Sequence, residues 1–154
     1  MEKKIFIGVA WPYANGSLHH GHFAGCYLPA DIFARYNRLQ GREVLMVSGS
    51  DEHGTPITIT ADKENTTPQA IVDRYHTEHV ENMKQLGISF DLFTRTTTTN
   101  HETTVQEIFL DLYQKNFIHR KSIDALYCPT CQRFLPDRYV EGTCAASSPF
   151  GTAS

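Results

Sequence analysis

The densest group of reactive side chains is Trp11-Pro12-Tyr13-Ala14-Asn15-Gly16-Ser17-Leu18-His19-His20-Gly21-His22, a turn-rich segment ending in three histidines around one glycine. Imidazoles three residues apart, His19 and His22, can both donate to phosphate oxygens, and Gly21 has no side chain to hold a nucleotide base or ribose off the backbone. That chemistry suits an α-phosphate under attack, where charge grows on the oxygens in the transition state and fixed donors stabilise the new charge most. Two other readings stand beside it. Zinc would need a further His, Cys or carboxylate, with Asp51 the nearest in sequence, and His-x-x-His without the Glu-containing five-residue pattern is a poor metal signature. The third reading is a surface loop whose histidines are incidental.

The surrounding pattern says what must position this segment. Lys4 to Ala10 is a short apolar run of β-branched and aromatic residues that reads as a buried strand, broken by Pro12, Asn15 and Gly16. From His22 to Leu39 the apolar residues Phe23, Tyr27, Ala30, Phe33 and Ala34 recur at helical spacing, and Gly41 supplies a stop. Glu43 to Val47 reads as a second strand, ending at Ser48-Gly49-Ser50-Asp51. Strand, turn, helix, strand is the opening βαβ unit of a parallel sheet, so the histidines are expected at the sheet's carboxyl edge, where open α/β sheets bind ligands. The helix start is expected to add free N–H groups that favour an anion.

Further along, Ile71, Val72, Tyr75, His79, Met83 and Leu86 mark an amphipathic helix running from Pro68 to Gly87, and Val105, Ile108, Phe109, Leu112 and Phe117 mark another. Ile88 to Thr94 between them is read as a strand. Residues 1–124 thus form the α/β part. Residues 125–144 change character, with strand-like Leu126-Tyr127 and a Cys128-Pro-Thr-Cys131 knuckle followed by Cys144. Residues 145–154 are rich in small polar side chains that cannot repay their ordering entropy and are expected to be disordered or an artificial end.

The chain has 154 residues, 40% hydrophobic and 20% charged, with a formal net charge of -3, so it lacks the basic excess of a small dedicated nucleic-acid binder. No apolar run approaches the roughly 18 to 20 residues of a membrane span, and the first ten residues have no cleavage site, so a cytoplasmic protein with no membrane partner is expected. In a reducing compartment the four cysteines point to metal or core packing before disulfides.

Taken in order, Ala10 to His22, then Asp31 and Arg35-Tyr36, then Gly49-Ser50-Asp51-Glu52-His53-Gly54-Thr55-Pro56-Ile57 closely resemble the amino-terminal half of the catalytic domain of methionyl-tRNA synthetases, which are class I aminoacyl-tRNA synthetases. Arg133 to Cys144 resembles the start of that family's zinc-bearing insertion. The resemblance runs from residue 4 to residue 144. It implies a Rossmann-like α/β fold with a partial zinc-knuckle insertion. It also implies ATP-dependent activation of methionine to methionyl-adenylate, with magnesium accompanying ATP, and transfer to methionine tRNA by the full-length protein.

By motif position, His19-His20-Gly21-His22 is similar to the family's HIGH signature, so His19, Gly21 and His22 are implied to bind ATP, with His19 and His22 catalytic. Ala10, Trp11 and Tyr13 are implied to line the methionine pocket, and Asp51 to accept the substrate ammonium. A thioether packs well against aromatic faces, and a desolvated cation needs a carboxylate, so the chemistry agrees. Asp51 also fits as a helix cap before His53-Gly54-Thr55-Pro56. His20 departs from the usual aliphatic residue and is expected to face the core or pack beneath the nucleotide.

Cys128, Cys131 and Cys144 are implied zinc ligands, one short of a tetrahedral set. Where the family has its next cysteine, this chain has Ser147. Either His119 or another group completes the site, or the sequence leaves the family pattern at Ala145 through truncation or a shifted frame; we favour the second as the expectation. The family's lysine-containing KMSKS loop has no match, Arg120-Lys121-Ser122 being the nearest string, so the chain alone is expected to be inactive. The alternatives are a small nucleotidyltransferase with a His-x-Gly-His turn and a non-catalytic module that binds a nucleotide or partner.

Overall fold

The computed structural model describes residues 4–130 and 132–135. Its centre is a parallel sheet of three strands in the order β1-β2-β3, formed by Ile5–Gly8, Val44–Ser50 and Leu92–Arg95. β1 and β2 are in register from Ile5 opposite Val44 to Gly8 opposite Val47, and β2 and β3 from Val47 opposite Leu92 to Ser50 opposite Arg95. The expected βαβ opening is therefore present. The third strand lies at Leu92–Arg95 rather than across Ile88 to Thr94, because Ile88 is consumed in the close of the preceding helix, its N–H donating to Met83 O.

The helix after the first strand starts at His20–His22 (α1), passes through a π-turn at Phe23–Tyr27 and continues as Leu28–Leu39 (α2). An uninterrupted α-helix was expected here. Pro29 supplies the reason: it has no N–H to donate to Gly25 O, and its ring crowds that carbonyl. The wide turn absorbs the conflict, with Leu28 N–H donating to Phe23 O five residues back.

Two helices follow β2, Thr55–Lys63 (α3) and Pro68–Gln85 (α4), and Thr99–Gln114 (α5) follows β3. α3 has no counterpart among the elements read from sequence. Its alternating Ile and Thr residues have weak helix preference, yet Pro56, Ile57 and Ala61 are buried against α4 and outweigh it. A short antiparallel hairpin, Leu126–Cys128 (β4) with Arg133–Leu135 (β5), completes the described chain.

One face of the sheet is covered. Met46 and Val9 pack there with Tyr27, Ala34, Met83 and Ile88, and a second cluster joins Ala14, Ile57, Ala61, Ile71 and Val72. On the other face Phe6 is 70% exposed beside Leu45, and among the described residues nothing is packed over them. β1 is thus covered on one side only, which corrects the reading of its continuous apolar run as a fully buried strand.

Candidate active site

Parallel pairing does not stop with the named strands. Val9 N–H donates to Val47 O at 2.9 Å, Asp51 N–H to Pro12 O at 2.8 Å, and Ala14 N–H to Asp51 O at 2.9 Å, so Tyr13 and Asp51 face each other as a parallel bridge. Residues 38 positions apart in sequence are thereby fixed side by side at the carboxyl edge. Ala10 is exposed just before them, and its carbonyl accepts from Ser48 Oγ at 3.2 Å. Trp11 lies over Gly49, where an added Cβ would stand 2.7 Å from Trp11 Cζ3 and 2.4 Å from Thr94 O. Gly49 is therefore a close-approach glycine: any side chain expels the indole or splits β2 from β3. The outer side of the indole meets His101 of α5, with ring centroids 5.6 Å apart.

Asp51 is half-buried and accepts from His53 N–H at 3.4 Å. It does not cap α3: the N-cap there is Gly54 at φ 101, with no side-chain hydrogen bond. The helix-cap alternative for Asp51 is therefore set aside.

The histidine turn is built by its own backbone. Gly21 N–H donates to His19 Nδ1 at 3.0 Å, and His19 N–H donates to His22 Nδ1 at 3.1 Å, a reciprocal capping box made of imidazoles. Both Nδ1 atoms are acceptors, so in the neutral ring the hydrogen is on Nε2, and each histidine keeps one N–H pointing away from the turn. The two rings lie 3.9 Å apart, centroid to centroid. Burial pushes the His22 imidazolium pKa down, and the neighbouring His19 and His79 add to the effect, so His22 is a neutral donor at pH 7.

Three expectations change here. Gly21, His22 and Phe23 N–H groups are engaged by His19, through Nδ1 and the carbonyl, so these amides are not free for an anion. The ring Nε2–H groups are the donors that these bonds leave uncommitted. Second, a Cβ on Gly21 would lie 2.9 Å from His19 Cε1, so Gly21 admits the His19 ring as well as leaving the backbone open. His20 does not face the core. It is exposed and lines a shallow cleft with Leu18, Asn82 and Gln85, because α1 buries none of its residues.

Sequence reading missed a charged cluster directly behind the edge. Glu52, whose side chain is fully buried, accepts from Arg95 Nε at 2.7 Å and from Thr97 Oγ1, and Arg95 also bridges to Asp73 on α4. Ser50 Oγ meets His76 Nδ1 at 2.8 Å. Burial and Arg95 hold the His76 pKa below its ordinary value against the opposing pull of Glu52. These residues come from three separate segments, the ends of β2 and β3 and the middle of α4, and no local spacing announces them. Of the three candidate zinc thiols, Cys128 ends β4 beside the turn of the hairpin, while Cys131 and Cys144 lie outside the described residues. Among the described residues no group of three or more His, Cys, Asp or Glu is placed to hold a metal.

Fold and site together define a parallel α/β domain whose candidate binding edge lies at the carboxyl ends of β1 and β2. The model of the family "tRNA synthetases class I (M)" matches residues 5–150, and the chain belongs to that family. It is 59% identical over 144 residues to a methionine--tRNA ligase of Dehalococcoides mccartyi and 60% identical over 144 residues to that of Thermomicrobium roseum. Each alignment covers 94% of this chain, and 26% and 25% of the respective relative. This chain therefore spans about a quarter of the length of those relatives. Among solved structures it is similar to the Mycobacterium tuberculosis methionyl-tRNA synthetase in complex with methionyl-adenylate, with a TM-score of 0.77 and 27% identity over 88% of this chain and 26% of that one. It is also similar to the LeuRS-tRNA-LeuAMS ternary complex of Agrobacterium radiobacter K84, with a TM-score of 0.74 and 30% identity over 87% of this chain and 17% of that one. The small nucleotidyltransferase alternative gives way to this family. No described helix is long and apolar enough to cross a membrane.

Proposed function

We propose that this chain carries the methionine- and ATP-facing half-site of a methionine--tRNA ligase. The observation that supports this most is the paired-imidazole turn: both Nδ1 atoms are committed to the backbone, and both Nε2–H groups are left to donate. His19 and His22 bind the α-phosphate region of ATP and stabilise charge as the methionine carboxylate attacks and pyrophosphate leaves. Because the donors are already oriented, little reorganisation accompanies the reaction. Asp51 holds the substrate ammonium, and Ala10, Trp11 and Tyr13 shape the side-chain pocket at the paired edge. Magnesium travels with the ATP phosphates as their counter-ion.

Transfer to methionine tRNA, and neutralisation of the leaving pyrophosphate, belong to a full-length ligase in this reading, and the chain alone binds without turnover. A structural zinc would be held by Cys128, Cys131 and Cys144. The β4–β5 hairpin suits a knuckle at Cys128, but three thiolates fall short of a closed tetrahedron, so metal analysis of the purified chain is expected to find less than one zinc per molecule.

Titration with a non-hydrolysable methionyl-adenylate analogue tests the half-site: the wild-type chain binds it, and His22→Ala and Asp51→Asn each weaken binding by about tenfold or more. Equal affinity in all three proteins would remove these residues from the site. Methionine-dependent exchange of pyrophosphate into ATP is expected to be absent; robust exchange that disappears in His22→Ala would show that the chain activates methionine unaided.

A further inference from the structure

His79 occupies a position where α4 otherwise presents apolar side chains to the core: Ile71, Val72 and Met83 are buried on the same helix, and His79 itself has no exposed surface. Burying an imidazole there is unfavourable unless its nitrogens find partners. One does. Nε2 lies 3.0 Å from the carbonyl oxygen of Gly16, 63 residues away in sequence, and since a carbonyl only accepts, Nε2 carries the hydrogen. The other nitrogen, Nδ1, is buried without a hydrogen-bond partner. An aliphatic side chain would fill the space without an unsatisfied nitrogen, so the imidazole's distinctive contribution is this one directed bond.

The bond falls at the loop that carries the site. On one side Ala14 is fixed by Asp51 O at 2.9 Å, and on the other His19 begins its capping box with Gly21 and His22. Gly16 lies between these two fixed points, three residues before His19. α4 also forms the wall of the cleft beside the turn, through Asn82, Gln85 and its C-cap Leu86.

We propose that His79 is a positioning residue: its Nε2–H holds the Gly16 carbonyl and thereby sets the loop that aims His19 and His22 at the nucleotide phosphates. The inference rests on the reading of His19 and His22 as phosphate donors. His79 touches neither nucleotide nor amino acid; it acts through the loop. A side chain that retains an N–H at about the same reach should retain the function, and one that fills the space without a donor should not.

The test compares His79→Gln, which keeps a donor, with His79→Leu, which does not, in the 154-residue chain. Two readouts are taken for variants whose cooperative unfolding shows an intact fold: MgATP affinity, and amide hydrogen exchange across residues 15–19. The leucine variant is expected to bind MgATP about tenfold more weakly and to exchange about tenfold faster in that loop, while glutamine stays within about threefold of wild type on both. If leucine does not fold, His79→Asn, whose shorter amide does not reach Gly16, takes its place. Wild-type affinity and wild-type exchange in the donor-free variant would overturn the proposal, as would a folded glutamine variant that fails to the same extent. A wild-type chain that does not bind MgATP overturns the functional reading instead, and loop exchange then still decides whether His79 holds Gly16.

Discussion

α4 and α5 look alike in sequence and behave differently in the fold. Both begin at a threonine N-cap, Thr67 and Thr98, and both carry apolar residues at helical spacing. α4 buries Ile71, Val72, His79 and Met83, bonds through His79 to the loop before the histidine turn, and bridges through Asp73 to Arg95 at the end of β3. α5 buries none of its residues among those described: Val105, Ile108, Phe109 and Leu112 are all exposed, and His101 against Trp11 is its ring contact with the site. Periodicity reports that a helix has an apolar face; only the fold reports whether that face has found a partner. In this molecule the helix that found one also bonds to the loop before the histidine turn.

The comparison is tested most severely at Arg95. Replacing it with methionine leaves the Glu52 carboxylate buried without its cation and unties Asp73 of α4 from β3. Removing one member of a buried pair costs about 3–5 kcal/mol. We expect urea denaturation of Arg95→Met to show a loss of that size, and a loss under about 1 kcal/mol would mean that the cluster does not secure α4. Next in size is a matched pair of truncations. Ile71→Ala empties a fully enclosed site and should cost about 2–5 kcal/mol, whereas Ile108→Ala on α5 should stay within about 0.5 kcal/mol. Equal losses would show that α5 is packed after all.

The same contrast explains what was legible in the sequence. The βαβ opening, the parallel sheet and both amphipathic helices follow from local pattern, because strand and helix periods are written in adjacent residues. The histidine turn was legible too, since a strand-to-helix turn in a parallel sheet has one place to go. α3 was not, because the signal that decides it is burial of Ile57 and Ala61 against α4, while its own Thr and Ile residues favour extended chain. The Tyr13–Asp51 bridge and the Glu52–Arg95–Asp73 cluster join residues separated by tens of positions, and no spacing rule encodes them. Even where the motif was legible its mechanics were not: the pattern led to free helix-start amides, and the fold spends those amides on His19.

A third effect, of intermediate size, separates the packed body of the domain from α5 by pH. Asp31 of α2 is buried, which alone would raise its pKa, but the Ser89 hydroxyl and backbone N–H together with Arg35 outweigh that and hold the carboxyl below its ordinary value of 3.8. A depressed carboxylate contributes stability that is fully present above the ordinary pKa and is lost as pH falls through the lower folded value. Stability from Asp31 should therefore be complete at pH 5 and above and decline below about pH 4. Asp31→Asn is expected to cost about 1.5–3 kcal/mol at pH 7, typical of hydrogen bonds to a charged group, and to flatten the acid limb of the stability profile. By contrast Asp111 of α5 meets Lys115 at 2.6 Å with both side chains more than half exposed, and Asp111→Asn should change stability by less than about 0.5 kcal/mol. An acid limb unchanged in Asp31→Asn would assign the low-pH loss elsewhere.

The smallest effect discriminates most finely, because the two caps are chemically the same. Thr67 accepts from Ala70 N–H at 3.2 Å and Thr98 from His101 N–H at 3.3 Å, and replacing such a threonine by alanine costs about 1 kcal/mol of helix stability. In α4 that loss is coupled to the core, so Thr67→Ala should lower the stability of the whole chain by about 1 kcal/mol. In α5 the first turn is tied to the body mainly through His101 and Trp11, so Thr98→Ala should fray that turn with little change in global unfolding. Hydrogen exchange reads the difference: faster exchange confined to the start of α5 in Thr98→Ala, and a uniform rise across the slowest amides in Thr67→Ala. If Thr98→Ala also lowers global stability by about 1 kcal/mol, then the indole–imidazole contact transmits the state of α5 to the sheet edge, and α5 is part of the scaffold that holds Trp11 in the site.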